Sequence, residues 1–471
     1  MDKILPGGYQ LNDSTWFYLS FLLILAVYFK FSRFWSIRNF DLGLLLLISP
    51  GLLLVRDDAS LGYGWLFAIT ALLLVRVLLD GLITRRPRLE QNMNAAGMAF
   101  LCAATFLFLT TKLLTDPPTD STRASIRMGT KLISGEPAKT QEPGATIAAE
   151  KSVPDTVPAG PATSLVASGV AQLSKVVTKH EPSQAPSPID VEVVAARMIA
   201  ILAHLAVILG LTLVGRHIFG DSEAGFAMAT LYMLLPCTAY DVGKVNYVLP
   251  AALIVWAIWA YRRPFVSGML LGLASAMMFF PVFLLPLWGA FYGKRGGLRF
   301  GMAVGLTAAV IVSSLLLLSN DSQTLLGQLV GYVPLTDLPF LSPLLRGDAP
   351  SSLPEGPPGF WGDEAAYSLP MFVGFLVMLV GLTIWPRRKS LAQVITHSAA
   401  IVIGTQFWYS RYVGVYVLWY LPLLLLVVFR PLMTNHFAPE FKPLLLLGRA
   451  GRRTAPEPEL VGSVTGNGAK P

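Results

Sequence analysis

Charge and cysteine are both scarce in this 471-residue chain. Asp, Glu, Lys and Arg make up 14% of it, and its two cysteines are Cys102 and Cys237. Each lies in or at the edge of an apolar run, a position that assigns it to packing and leaves the redox compartment open. Five histidines are scattered without HExxH spacing, no CxxC pair occurs, and no GxxxxGK[ST] loop is present. Zinc-hydrolase and P-loop readings therefore lack support, and no metal site is expected.

The chain is rich in apolar length. Hydrophobic residues reach 54% and the mean hydropathy is +0.58, far from an average soluble domain. Apolar runs recur near 16–32, 40–55, 63–82, 94–114, 193–215, 223–240, 247–261, 265–279, 281–293, 299–319, 368–386, 392–409 and 411–429. These approach the ~20 residues that a ~30 Å hydrocarbon core requires of a helix. The expected fold is all-α, a polytopic transmembrane helical bundle of about thirteen spans.

Lys and Arg concentrate on every second connection, at Lys30/Arg33/Arg38, Arg85/Arg86/Arg88, Arg216, Arg262/Arg263, Lys294/Arg295/Arg299, Arg387/Arg388/Lys389 and Arg430. Short cytoplasmic loops retain such residues, so the pattern puts the N-terminus outside and the C-terminal tail inside. It also accounts for the net charge of +8 as topology, with no need of a nucleic-acid partner. Residues 1–15 carry one basic residue ahead of a long apolar run, the pattern of a retained anchor span.

Three regions lack apolar runs. The first, 115–192, includes a Pro/Ala/Ser/Thr-rich stretch from about 135 to 190, expected to be mobile because it cannot bury enough apolar surface to fold alone. The second, 320–367, is more aromatic and is expected to order against the outer membrane surface. The third, 430–471, reads as a flexible cytoplasmic tail. Within the runs, Gly268, Gly272 and Ala276 recur at every fourth position, which lets another helix approach closely. Pro281, directly after Phe279 and Phe280, disrupts a continuous helix, so two short helices meeting near the outer face are expected there.

Four segments in order, "ARMIAILAHLAVILGLTLVGRHIFGDSEAGFAMATLYMLLP" (196–236), "GKVNYVLPAALIVWAIW" (243–259), "GMLLGLASAMMFFPVFLLPLW" (268–288) and "RYVGVYVLWYLPLLLLVV" (411–428), resemble the GT-C superfamily of membrane glycosyltransferases. The likeness is to its polyprenyl-phosphate-mannose-dependent, family 87-like branch. There a Gly-Gln-x-Asn turn precedes one span, a Gly-Leu-Ala-x-x-x-Lys-x-x-Pro break follows in the next, and a late span carries Tyr-x-x-Trp-x-x-Pro. The resemblance covers roughly residues 94–429, with 1–93 as an added three-span unit. Two positions depart from it: Lys244 stands where the turn has Gln, and Met278 where the break has Lys. A lysine at that mouth would pair with a lipid phosphate, and methionine supplies no charge.

The resemblance implies a GT-C-like fold and a hexosyltransferase, moving a hexose (in that branch mannose) from a polyprenyl-phosphate donor to a lipid or glycan acceptor. The setting implied is the outer face of a bacterial plasma membrane, with membrane lipids, the lipid-linked donor and a glycan or glycolipid acceptor as partners and no cofactor. Such transfer needs a carboxylate to take the acceptor proton and cations for the departing phosphate. In the family the base opens the first large outer loop, which here implies Asp116, or Asp120 beyond Pro117 and Pro118, in "TDPPTD". Asp241, Lys244 and Asn246 share the polar turn "YDVGKVNY", with Asp241 and Asn246 as cavity-lining residues and Lys244 as a phosphate cation. Arg346, within "PFLSPLLRGD", and Arg411, after "QFWYS", are further phosphate candidates. Asp57 and Asp58 read as interfacial charges. A non-catalytic polytopic protein, whether lipid-linked glycan binder, transporter or scaffold, remains the alternative.

Overall fold

The computed structural model describes residues 13–28, 36–83, 91–134, 160–178, 188–318, 368–409, 414–433 and 436–439. In chain order the helices are α1 (Asp13–Tyr28), α2 (Ile37–Asp57), α3 (Ala59–Leu78), α4 (Ala95–Thr115), α5 (Asp120–Ser134), α6 (Pro161–Thr178), α7 (Pro188–Val214) and α8 (Ser222–Leu234). They continue with α9 (Pro236–Tyr240), α10 (Val245–Trp259), α11 (Pro264–Met277), α12 (Leu284–Leu318), α13 (Ser368–Ile384), α14 (Leu391–Thr405) and α15 (Val417–Phe429). Among the described residues there is no strand, and the all-helical expectation holds. Among the described residues five stretches, Ile37–Val55, Ala59–Leu82, Ala95–Thr115, Val191–Phe219 and Phe280–Leu318, are long and apolar enough to cross a membrane.

Helix starts are written locally. Ser36, Asp58, Asn94 and Asp221 each accept a backbone N–H from three residues ahead, satisfying donors that the first turn of a helix leaves open. Ser390 and Gln393 close a reciprocal box at the start of α14. Asp58, expected as an interfacial charge, is thus the N-cap of α3.

Burial sorts the helices. Every residue of α15 is buried, as is nearly all of α14, while the most apolar window of α4 is only 28% buried. A helix apolar on all sides belongs at the centre of a bundle, and α15 is that helix. Close approaches use small residues. A side chain on Gly225 would meet the backbone of Thr212, so α7 and α8 touch main chain to main chain. Gly268 likewise faces the backbone of Phe300 and Gly272 that of Val304, the close approach expected of their spacing.

The chain does break before Pro281. The Met278 N–H closes α11 on Ala274 O at 3.0 Å, and Met278 itself is extended, with φ −149° and ψ 150°. A short turn over Phe280–Phe283 leads into α12. A second break falls at Gly293, where φ is +64°, a value glycine adopts without a Cβ penalty. The expected runs 281–293 and 299–319 are therefore two rods in series.

Two expectations need correction. Residues 160–178 belong to the stretch expected to be mobile, yet they form α6, with Ala162, Ala167 and Ala171 buried. Its small side chains make a close-packing face: Gly129 of α5 sits against Ser164 and Ser168, and Gly160 N–H donates to Met277 O at 2.8 Å. Low hydrophobicity did not prevent folding because other helices supply the apolar surface. Arg38 and Arg430, expected as loop charges, are 7% and 5% exposed. Arg38 Nη2 donates to Arg430 O at 2.9 Å, Arg430 pairs with Asp80, and Arg76 bridges Asp41 at 2.6 and 2.7 Å and Asp80 at 3.2 Å. Asp41 and Asp80 thus hold Arg76 and Arg430 inside the bundle, and the Arg430 carbonyl holds Arg38.

Candidate functional site

Helices α10, α11, α14 and α15 have 15, 14, 15 and 13 residues, about 20–23 Å each at 1.5 Å per residue, short of a ~30 Å core. Their ends on the side of Asp116 meet through aromatic rings. Phe279 lies 4.2 Å from Tyr409 and 5.8 Å from Trp419, centroid to centroid. Phe280 and Tyr416 stack on Trp419 at 4.6 and 4.5 Å. The Pro281 break thus delivers two phenylalanines to the end of α15, where the expected Tyr-x-x-Trp-x-x-Pro motif supplies Tyr416 and Trp419. Tyr247 adds its edge to both, at 5.5 and 5.9 Å.

The polar turn 241–246 borders this aromatic layer. Asp241 is 1% exposed, and Lys244 Nζ sits 3.0 Å from its Oδ1 and 5.4 Å from the Tyr247 ring centroid. His204 of α7 fixes the turn from below. Its Nε2 is 3.0 Å from Val242 O. A carbonyl only accepts, so Nε2 carries the proton and Nδ1 accepts from Tyr232 OH at 2.9 Å.

Asp116 ends α4 and pairs with Lys112 at 2.9 Å, with 41% of its side chain exposed. Asp120 opens α5 and is exposed. Between them, Thr119 Oγ1 lies 3.1 Å from Gly243 O and 2.9 Å from Thr122 Oγ1, which is itself 3.2 Å from Gly243 O. Two segments more than a hundred residues apart, both singled out in the sequence, therefore dock on one another. Gly243 is suited to the contact, because a Cβ there would come within 3.3 Å of the Thr119 methyl.

Among the described residues, several polar atoms in this region are buried without a hydrogen-bond partner: Asn246 Oδ1, both amide atoms of Gln406, Trp408 Nε1 and Trp419 Nε1. Interiors rarely leave such groups unpaired, and a cluster of them marks a place where a polar ligand or ordered water completes the network. Arg346 and Arg411 lie outside the described residues. Met278 is fully buried. No cluster of metal-ligating side chains occurs among the described residues. Sequence reading missed His204, Thr119 and Thr122, whose contacts join separate segments and leave no local pattern, and Gln406, whose burial follows only from the fold. Comparison with known proteins gives no matching family model and no matching curated sequence.

Proposed function

We propose that this protein is a GT-C-like membrane hexosyltransferase that moves a sugar from a polyprenyl-phosphate donor to a lipid or glycan acceptor. The observation that carries the reading is the docking of the Asp116–Asp120 segment on the Asp241–Asn246 turn through Thr119, Thr122 and Gly243. It gathers an exposed carboxylate, a lysine and unpartnered amides beside the recessed ends of four short helices. In this reading Asp116 takes the proton of the acceptor hydroxyl as that oxygen bonds to the anomeric carbon. The carbon–oxygen bond to phosphate breaks with inversion, and polyprenyl phosphate leaves with its charge met by Lys244. Asp120 is the alternative base.

The same reading takes the Asp116 end as outward. The basic residues Arg262/Arg263, between α10 and α11, and Arg387/Arg388/Lys389, before α14, lie at the opposite end, as cytoplasmic retention of Lys and Arg requires. The reading takes α1–α4, α7, α8, α10, α11, both halves of α12 and α13–α15 as about thirteen passes, the short ones ending within the membrane depth.

A non-catalytic reading is favoured by Met278, which occupies the position of the family's lysine and is buried. Sugar transfer by purified, reconstituted protein decides between them. Asp116→Asn is expected to lower the rate by about 10²- to 10⁴-fold with donor binding retained. Lipid binding without transfer by the wild type, across polyprenyl-phosphate hexose donors, rules out the catalytic reading.

A further inference from the structure

Two arginines near the site were singled out neither by motif nor by resemblance. Arg123 lies on α5 and Arg197 on α7. The Nε atom of each is buried without a hydrogen-bond partner, and no carboxylate lies within ion-pair distance of either among the described residues. Every other acid–base contact in this region is made: Lys112 with Asp116, Lys244 with Asp241, and Arg127 with Glu192. A guanidinium stays charged at any pH a membrane protein meets, and these two are partly buried, with the Nε atom inside and no acid beside them, so their remaining donors are open to an anion.

Their placement follows from the contacts around them. At one level, Arg127 of α5 meets Glu192 of α7 at 3.3 Å. At another, Thr119 and Thr122 meet Gly243 O while His204 of α7 meets Val242 O. Helices α5 and α7 therefore run antiparallel from the Arg127–Glu192 pair down to the turn 241–246. Arg123 stands one turn from Arg127 and one turn from Thr119, on the face they share. Arg197 stands between Glu192 and His204, and shares the face of His204 because seven residues make close to two full turns. Both arginines thus flank the approach to the turn that holds Lys244.

We propose that Arg123 and Arg197 form an anion site for a phosphate group, with Lys244 at its inner edge. Two guanidinium forks present paired N–H donors to the several oxygens of a phosphate, a geometry lysine does not offer. They supply the cationic charge that Met278 does not. The nature of the ligand, a lipid-linked phosphate, rests on the transferase reading; the site itself rests on the unpaired arginines.

Native mass spectrometry of the full chain in detergent tests this without requiring catalysis, and it counts lipid on folded molecules alone. The probes are a short polyprenyl monophosphate, the polyprenol of the same chain, and inorganic phosphate as competitor. Wild type is expected to prefer the monophosphate over the alcohol by at least about tenfold, and Arg123→Gln and Arg197→Gln are each expected to remove about tenfold of binding. Arg123→Lys and Arg197→Lys, which keep charge and lose the fork, should fall between. Arg127→Gln, whose partner is Glu192, should leave the preference in place. Displacement of the lipid by inorganic phosphate would assign the site to the free anion, and resistance to it would assign the site to the lipid-linked group. A preference unchanged in the Arg123→Gln/Arg197→Gln double variant overturns the proposal, whether or not the protein transfers sugar. Loss of transfer with this binding intact would instead overturn the catalytic reading alone.

Discussion

The two ends of the bundle differ in how their arginines are matched by acids. At the Arg430 end, Asp41 and Asp80 are each held by an arginine, and Arg38 ties α2 to the end of α15. At the Asp116 end, among the described residues, Arg123 and Arg197 meet no acid, and Asn246, Gln406, Trp408 and Trp419 keep buried polar atoms without partners, as Arg430 Nε, Thr383 Oγ1 and His397 Nδ1 do at the other end. Arginines matched by buried acids hold helices together, whereas arginines that meet no acid keep donors open to an anion from outside. The comparison separates a paired scaffold from the candidate site. It predicts that polar substitutions change stability in opposite directions at the two ends.

The largest effect belongs to the Arg430 end. Asp80→Ala leaves Arg430 and Arg76 without a shared carboxylate in a place where Asp80 is 1% exposed. Removing one member of a buried pair costs about 3–5 kcal/mol, so thermal unfolding in detergent should shift strongly downward. The double variant Asp80→Leu/Arg430→Met, which removes both charges, should recover most of that loss. Ligand binding at the far end should survive in whatever protein remains folded. A single variant as stable as the wild type would remove the contrast between the ends.

At the Asp116 end the expected sign reverses. Gln406 is 1% exposed and neither amide atom has a partner. Gln406→Leu conserves volume and removes two unsatisfied groups, so a gain of about 1–2 kcal/mol in stability is expected. Activity or lipid binding should fall in the same variant, since sites hold polar groups at the expense of packing. A destabilised Gln406→Leu protein would mean that the amide is structural.

These contrasts were unequally visible in the sequence. The break before Pro281, the close packing at Gly268 and Gly272, and the polar turn at 241–246 are local patterns, and a helix period or a missing N–H is enough to read them. Asp80 is the one acid in the apolar run 63–82, but nothing local selects Arg430 and Arg76 as its partners among several basic residues. Burial of Arg38 was masked by a charge rule that assigns loop arginines to the aqueous side. Helix α6 was missed because alanine and serine carry little hydrophobic signal, although their small size lets α5 and α11 come close. Thr119 and His204 became legible only when the fold brought α4, α5 and α7 to one turn. Pairing across helices is a tertiary property, and composition along a single helix does not encode it.

The smallest effect tests how far the functional end extends. Asp58 sits at the same end as Asp116, in the α2–α3 connection, and it too is an aspartate next to an apolar helix. Its Oδ1 already accepts the Leu61 N–H at 3.1 Å, so its carboxylate is committed to the first turn of α3, whereas Asp116 is 41% exposed and held by Lys112. Asp58→Ala should cost about 1 kcal/mol, the usual value of a lost N-cap, while Asp58→Asn and Asp58→Ser should cost less because either side chain can still cap. Sugar transfer and lipid binding should stay within about twofold of wild type in all three, a change of roughly 0.4 kcal/mol or less. Denaturation midpoints measured beside transfer rates read both quantities in one preparation. A loss of transfer in Asp58→Asn approaching that of Asp116→Asn, with stability preserved, would carry the functional end across to the α2–α3 hairpin and make Asp58 a rival for the base.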